Sequence, residues 1–139
     1  MGNTHSICKV NYEDIQYIIV NKSALLINTL DCNKQDCLIK ESLTANSEVE
    51  TLNLYLTNGT SDIRIIIYGE NSSDDSIIKK FKQLTSLGFT NVYLYVGGLF
   101  EWLLLQDIYG YELFPTTKKE RDILKFKGKK VLGIKLIEG

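Results

Sequence analysis

Apolar positions along the chain alternate between helical spacing and short continuous runs. Tyr12, Ile15, Ile18 and Ile19 fall on one helical face, and Asn11 before them is a suitable N-cap, which predicts a first helix over Tyr12 to Val20. Ala24 to Asn28 has the character of a short strand, and after a polar loop Cys37-Leu38-Ile39 predicts another. Ser47 and Glu50 have capping-box spacing, and Val49, Leu52 and Leu56 then share a face until Asn58-Gly59, so a second helix is expected there. Ile63 to Tyr68 is rich in isoleucine and does not alternate, as befits a central strand covered on both faces. From Ser73 to Leu87 a stripe of Ile77, Ile78, Phe81, Leu84 and Leu87 predicts a helix stopped by Gly88. Asn91 to Val96 follows as a strand. A short helix near Lys119 to Phe126 and a strand over Val131 to Ile137 are expected at the end, the latter with no assigned place in a sheet.

Strands alternating with helices predict an α/β fold in which a mostly parallel sheet is covered by helices on both faces. Such folds place their chemistry at the carboxyl ends of the strands, here from Gly69 and from Gly97 onward. A chain of 139 residues, 44% of them hydrophobic, fits one domain with a real core. Residues 1–9 are expected to be a flexible arm and residues 10–139 the domain, with a C-terminal extension from about 117.

A formal net charge of −1, with the signs interspersed, provides no overall field for nucleic acid, and none is expected as a partner. Three cysteines (Cys8, Cys32 and Cys37) and one histidine (His5) do not form a metal-ligand spacing, so neither a metal nor a cofactor is expected. No apolar run reaches the roughly 18 residues of a membrane span. The default compartment is a reducing cytosol, where the cysteines stay as thiols and sequons such as Asn58-Gly59-Thr60 have no meaning.

One stretch carries more than fold. Ile65-Ile66-Ile67-Tyr68-Gly69-Glu70-Asn71-Ser72-Ser73-Asp74-Asp75 leads into an amphipathic helix, then Leu87-Gly88-Phe89-Thr90-Asn91-Val92, then Gly97-Gly98-Leu99-Phe100-Glu101-Trp102. This resembles the second half of the rhodanese family, whose pattern is a strand, a cysteine-bearing loop, a helix, a Gly-Phe/Tyr turn into a strand, and Gly-Gly-x-x-x-Trp. Gly97, Gly98 and Trp102 stand at the last motif. The first half resembles the family in topology alone, so the likeness covers about residues 10 to 110.

The resemblance implies that the family's catalytic cysteine is replaced by Gly69 and its later arginine by Asp74. In that family the loop's backbone N–H groups lower the thiolate pKa and cradle an anionic sulfur or phosphate group. The former active-site loop would then be Gly69, Glu70, Asn71, Ser72, Ser73, Asp74 and Asp75, without a catalytic residue. Ser72, Ser73, Asp74 and Asp75 are also ordinary helix-capping and first-turn residues. With Glu70 they would repel an incoming anion.

The resemblance therefore implies a binding or docking module for a protein partner of unknown identity. The alternative is a sulfurtransferase or phosphatase-like enzyme using a relocated cysteine. Cys37 beside Leu38 and Ile39 fits a small buried hydrophobe better than a nucleophile, and Cys32 fits an exposed loop thiol. A structural protein with no discrete ligand is a third class.

Trp102 is expected in the core; Phe100, at the start of a helix after Gly97-Gly98, is expected near the rim of the loop as a contact residue, and Tyr109 is the other aromatic of interest. Lys125-Phe126-Lys127-Gly128-Lys129-Lys130 is a basic cluster that ordinarily forms a solvated edge, or else meets an acidic partner or an anionic membrane. Met1-Gly2-Asn3-Thr4-His5-Ser6 matches the N-myristoylation pattern, with Gly2 the acylated residue. One such chain holds a membrane only marginally, and Cys8, as a palmitoylation site, or the lysine cluster would supply the second signal. The expected location is cytoplasmic, with membrane association through lipidation.

Overall fold

The structure, a computed structural model, describes residues 7–133. Five strands, β1 (Cys8–Val10), β2 (Leu25–Asn28), β3 (Ser42–Leu43), β4 (Ile65–Tyr68) and β5 (Val92–Tyr95), form one sheet in the order β1-β5-β4-β2-β3. Every pairing is parallel. The helices are α1 (Tyr12–Asn21), α2 (Ala45–Thr57), α3 (Ser76–Ser86) and α4 (Gly98–Tyr109).

The two faces of β4 divide the core. Ile66 and Tyr68 pack with Ile15 and Ile18 of α1 and with Leu99, Trp102 and Leu103 of α4. Ile65 and Ile67 pack with Leu52 of α2 and with Ile77, Phe81 and Leu84 of α3. All four residues of β4 are buried, which is why its sequence shows no alternation.

Helix α1 begins as its sequence predicts. The Asn11 side chain accepts from the Glu13 and Asp14 N–H groups, and Asp14 returns the bond to the Asn11 N–H, a complete capping box. Elsewhere the boundaries move. Helix α2 starts at Ala45 after Thr44, so Ser47 lies inside it, not at its cap. Its buried face carries Leu52 and Glu48, whereas Val49 is 65% exposed. Glu48 is held by Lys80 of α3 at 2.6 Å, so an ion pair takes the place assigned to Val49.

Cys37-Leu38-Ile39 is not a strand. Ile39 makes a single antiparallel bridge to Thr116, and the pairing strand is Ser42–Leu43 instead. The cause is Tyr68. Its hydroxyl accepts from the Ile39 N–H at 3.1 Å and lies 2.7 Å from Ser42 Oγ, which donates to the Ile39 carbonyl. These bonds use the Ile39 backbone groups that a strand would have needed.

After α4 the chain returns across the carboxyl edge of the sheet as a strap. Phe114 packs edge-on against Trp102 at 5.0 Å between ring centres, and the Trp102 indole donates to the Pro115 carbonyl at 3.0 Å. Thr117 N–H donates to the Leu38 carbonyl at 2.8 Å, and a 3₁₀ turn at Ile123–Phe126 buries Phe126. This turn is shorter than the helix expected from Lys119. Val131 and Leu132 are exposed and outside any strand, and the remainder of the strand predicted there lies outside the described residues. Cys8 and Lys9, assigned to a flexible arm from sequence, are part of edge strand β1.

Candidate functional site: the loop after strand β4

Gly69 ends β4 in the middle of the sheet, and six residues separate it from α3. The helix starts at Ser76, three residues later than its hydrophobic stripe implied. Ser72, Ser73 and Asp75 consequently lie before it, exposed, and the Asp75 side chain makes no cap bond. The capping group is Asp74. Its Oδ2 accepts from the Glu70 N–H at 3.0 Å, and its Oδ1 accepts from the Ser76 N–H at 3.0 Å.

Ser76 Oγ lies 2.6 Å from Asp74 Oδ1 and 2.6 Å from Thr29 Oγ1. A carboxylate can only accept, so the Ser76 hydroxyl is the donor to Asp74. The loop thus closes on its own carboxylate. A Cβ placed on Gly69 would stand 2.4 Å from Asp74 Oδ2, so the Asp74 carboxylate fills the space that any side chain at residue 69 would occupy.

The other loop side chains turn outward to neighbours. Glu70 does not add its charge to the loop centre; it pairs with Lys34 at 2.8 Å, and this bond raises the Lys34 pKa above its usual value. Asn71 accepts from the Ser73 N–H and donates to the Phe126 carbonyl at 2.9 Å, which ties the strap to the loop.

Gly97 and Gly98 bring α4 down onto the same loop. Leu99 N–H donates to the Gly69 carbonyl at 2.9 Å and Phe100 N–H to the Glu70 carbonyl at 2.8 Å. Gly98 has φ +70°, and a Cβ there would meet the Gly69 carbonyl oxygen at 2.7 Å. Both facts demand glycine. Trp102 is fully buried, as expected. Phe100 is half-buried beside the loop, and Tyr109, at the far end of α4, is 62% exposed.

Two tyrosines at the carboxyl edge are held protonated. Burial and the bond it donates to Glu101 at 2.6 Å push the Tyr95 pKa far up. Burial does the same for Tyr68.

The cysteines lie apart. Cys37 is buried and its thiol is pushed up by desolvation, Cys32 is exposed in a 3₁₀ turn at Cys32–Lys34, and Cys8 is exposed on β1. Among the described residues no group of three His, Cys, Asp or Glu side chains is placed to hold a metal. Gly2 and His5 lie outside the described residues. No helix among the described residues is long and apolar enough to cross a membrane.

Sequence reasoning missed Thr29, Lys34 and Ser76 as loop partners, and Asn28 with Gln35. Asn28 is 4% exposed and exchanges two amide hydrogen bonds with Gln35, which also accepts from the Ala45 N–H at the start of α2. Two amides close together in a polar stretch have no periodic signature; only their being brought face to face distinguishes them.

The architecture matches solved structures over most of its length. The Alr3790 protein from Anabaena sp. superposes with a TM-score of 0.57 at 18% identity, over 84% of this chain and 86% of that one. The rhodanese-like domain of Alr3790, solved in solution, superposes with a TM-score of 0.55 at 17% identity, over 96% of this chain and 94% of that one. The fold is rhodanese-like. A thiosulfate sulfurtransferase from Pseudomonas aeruginosa also matches, with a TM-score of 0.56 at 15% identity, over 70% of this chain but only 19% of that protein. No family model matches the sequence, and no curated protein aligns with it significantly. Likeness at these identities establishes the rhodanese-like architecture, within which the loop after β4 is the position to examine for chemistry.

Proposed function

We propose that the chain is a rhodanese-fold binding module that docks a protein partner and performs no sulfur transfer at its loop. One observation carries this reading: the Asp74 carboxylate occupies the space beside Gly69 and accepts the Glu70 and Ser76 N–H groups. A sulfur-bearing thiolate or an incoming thiosulfate would need those donors and would meet a fixed negative charge in their place. Relocation of the nucleophile to Cys37 is disfavoured by its burial and raised pKa.

For docking, the exposed side of α4 and the turn after it offer Ile108, Tyr109 and Leu113, at 69%, 62% and 56% exposure. Exposed apolar side chains at the end of a helix and in the turn after it suit a protein contact. Affinity capture with the full chain tests the reading. A protein recovered by the wild type and lost with Ile108→Lys supports it; recovery of small molecules alone, or of proteins indifferent to that substitution, contradicts it.

Tethering through Gly2 is part of the proposal, with exposed Cys8 or the basic strap as the second membrane signal. Coexpressed with an N-myristoyltransferase, the wild type gains the acyl mass and Gly2→Ala does not. Unmodified Gly2 under those conditions removes the tether and leaves the docking reading untouched.

A further inference from the structure

The strap is strongly basic. Residues 117–133 hold seven Lys or Arg against two Asp or Glu, a local charge of +5 in a chain whose formal total is −1. Where the strap faces the 3₁₀ turn at Cys32–Lys34 it encloses a cavity of about 130 Å³. Lys34, Lys118, Lys119 and Lys125 line it, with Asp36 and Glu120, so four cations face two carboxylates. Buried Cys37 and Phe126 supply apolar wall.

Two of the cations are already engaged. Lys125 holds Glu120 at 3.2 Å and Lys34 holds Glu70 at 2.8 Å. Lys118 and Lys119 have no carboxylate within ion-pair distance among the described residues; the Lys119 ammonium lies 5.3 Å from the centre of the Tyr111 ring. Lys125 thus neutralises Glu120, and Lys118 and Lys119 outnumber the remaining carboxylate, Asp36, so the charge left facing the cavity is positive. Concave, partly apolar walls concentrate the field of such charges, which a flat basic surface does not do.

We propose that this cavity is a binding site for a phosphate-class dianion, with Lys118 and Lys119 as its principal donors and Lys34 and Lys125 at its rim. A tetrahedral dianion accepts from several ammonium groups at once, and charge-assisted bonds of this kind are the strong ones. The site is separate from the loop after β4, whose own donors Asp74 has taken, and it does not depend on whether that loop is inactive. Inorganic phosphate, a phosphorylated side chain and a phospholipid headgroup share the required chemistry.

The test is a titration of the isotopically labelled full chain with inorganic phosphate, followed by amide NMR at an ionic strength held constant with chloride. Saturable shifts confined to residues 33–37 and 118–126 are expected. Lys118→Glu combined with Lys119→Glu, both exposed positions, should weaken binding at least about tenfold, because two charge-assisted bonds are lost. Absence of saturable shifts, or an affinity unchanged in the double variant, overturns the proposal. A phosphoserine peptide and phosphatidate vesicles, each set against its unphosphorylated counterpart, identify the source. Tighter binding of one of them than of free phosphate assigns the site to that source, and equal affinities assign it to the free anion.

Discussion

In the loop after β4, both half-buried carboxylates are answered by the protein itself. Asp74 accepts from two backbone N–H groups and a hydroxyl, and Glu70 is tied to Lys34. The strap crosses that loop and is joined to it through Asn71 and Phe126, yet Lys118 and Lys119 in it line a cavity and, among the described residues, pair with no carboxylate. The difference is one of availability. A rhodanese-like fold directs backbone donors to the loop at the centre of the sheet, but a short acidic side chain at the right offset consumes them. Cations on an irregular segment at the edge remain open to a ligand from outside.

The largest expected effect removes the close approach on which the loop is built. Gly98→Val must adopt φ +70° and place a Cβ 2.7 Å from the Gly69 carbonyl oxygen, so it should cost about 3 kcal/mol or more and lower the melting temperature by about 10 °C. A variant melting within a degree or two of the wild type would show that α4 does not need this contact. Next in size is Phe126→Ala. Truncating an aromatic that is 2% exposed should cost about 3 kcal/mol and release the strap while the sheet survives. Hydrogen exchange should then quicken across residues 117–126 and stay slow in β4; uniform acceleration would mean that strap and sheet are one cooperative unit.

A smaller effect concerns reactivity. Gly69→Cys forces a thiol against the Asp74 carboxylate, whose charge raises the thiol pKa. Gly69→Cys with Asp74→Arg removes that charge and adds a cation, and should react faster with iodoacetamide at neutral pH than the single variant. Equal rates would show that Asp74 does not govern the loop centre.

The smallest effect lies in the strap. The Asp122 N–H, then Lys125, hold the Glu120 carboxyl below its ordinary value of 4.5. A carboxyl whose folded pKa is the lower one stabilises fully above the unfolded value and ceases to do so as pH falls through the folded value. Lys125→Met should therefore cost no more than about 0.5 kcal/mol at neutral pH and nothing measurable in strong acid. A loss that is the same at both pH values would mean that packing, not charge, is what Lys125 supplies.

Much of this architecture was legible from residue order. The unbroken isoleucines of β4, the Asn11 cap and the Gly97-Gly98 turn before Trp102 each have a local signature, and together they define the parallel sheet and the position of its central loop. What was not legible depends on distant partners. Val49 was expected in the core because it is apolar and correctly spaced, but Lys80 from another helix allowed Glu48 to be buried in its stead. The Tyr68 hydroxyl diverts Ile39 from strand pairing across 29 positions of sequence. In the loop, four candidate capping residues stood in a row, and only the folded backbone distinguishes Asp74, which turns inward, from Ser72, Ser73 and Asp75, which do not.

A loop closed by its own carboxylate is tested most directly by a thiosulfate:cyanide sulfurtransferase assay of the wild-type chain, read with intact mass after exposure to thiosulfate. No turnover above buffer and no sulfur adduct on any cysteine are predicted. Turnover that Cys32→Ser or Cys37→Ser abolishes would contradict the account and move the active site to that thiol.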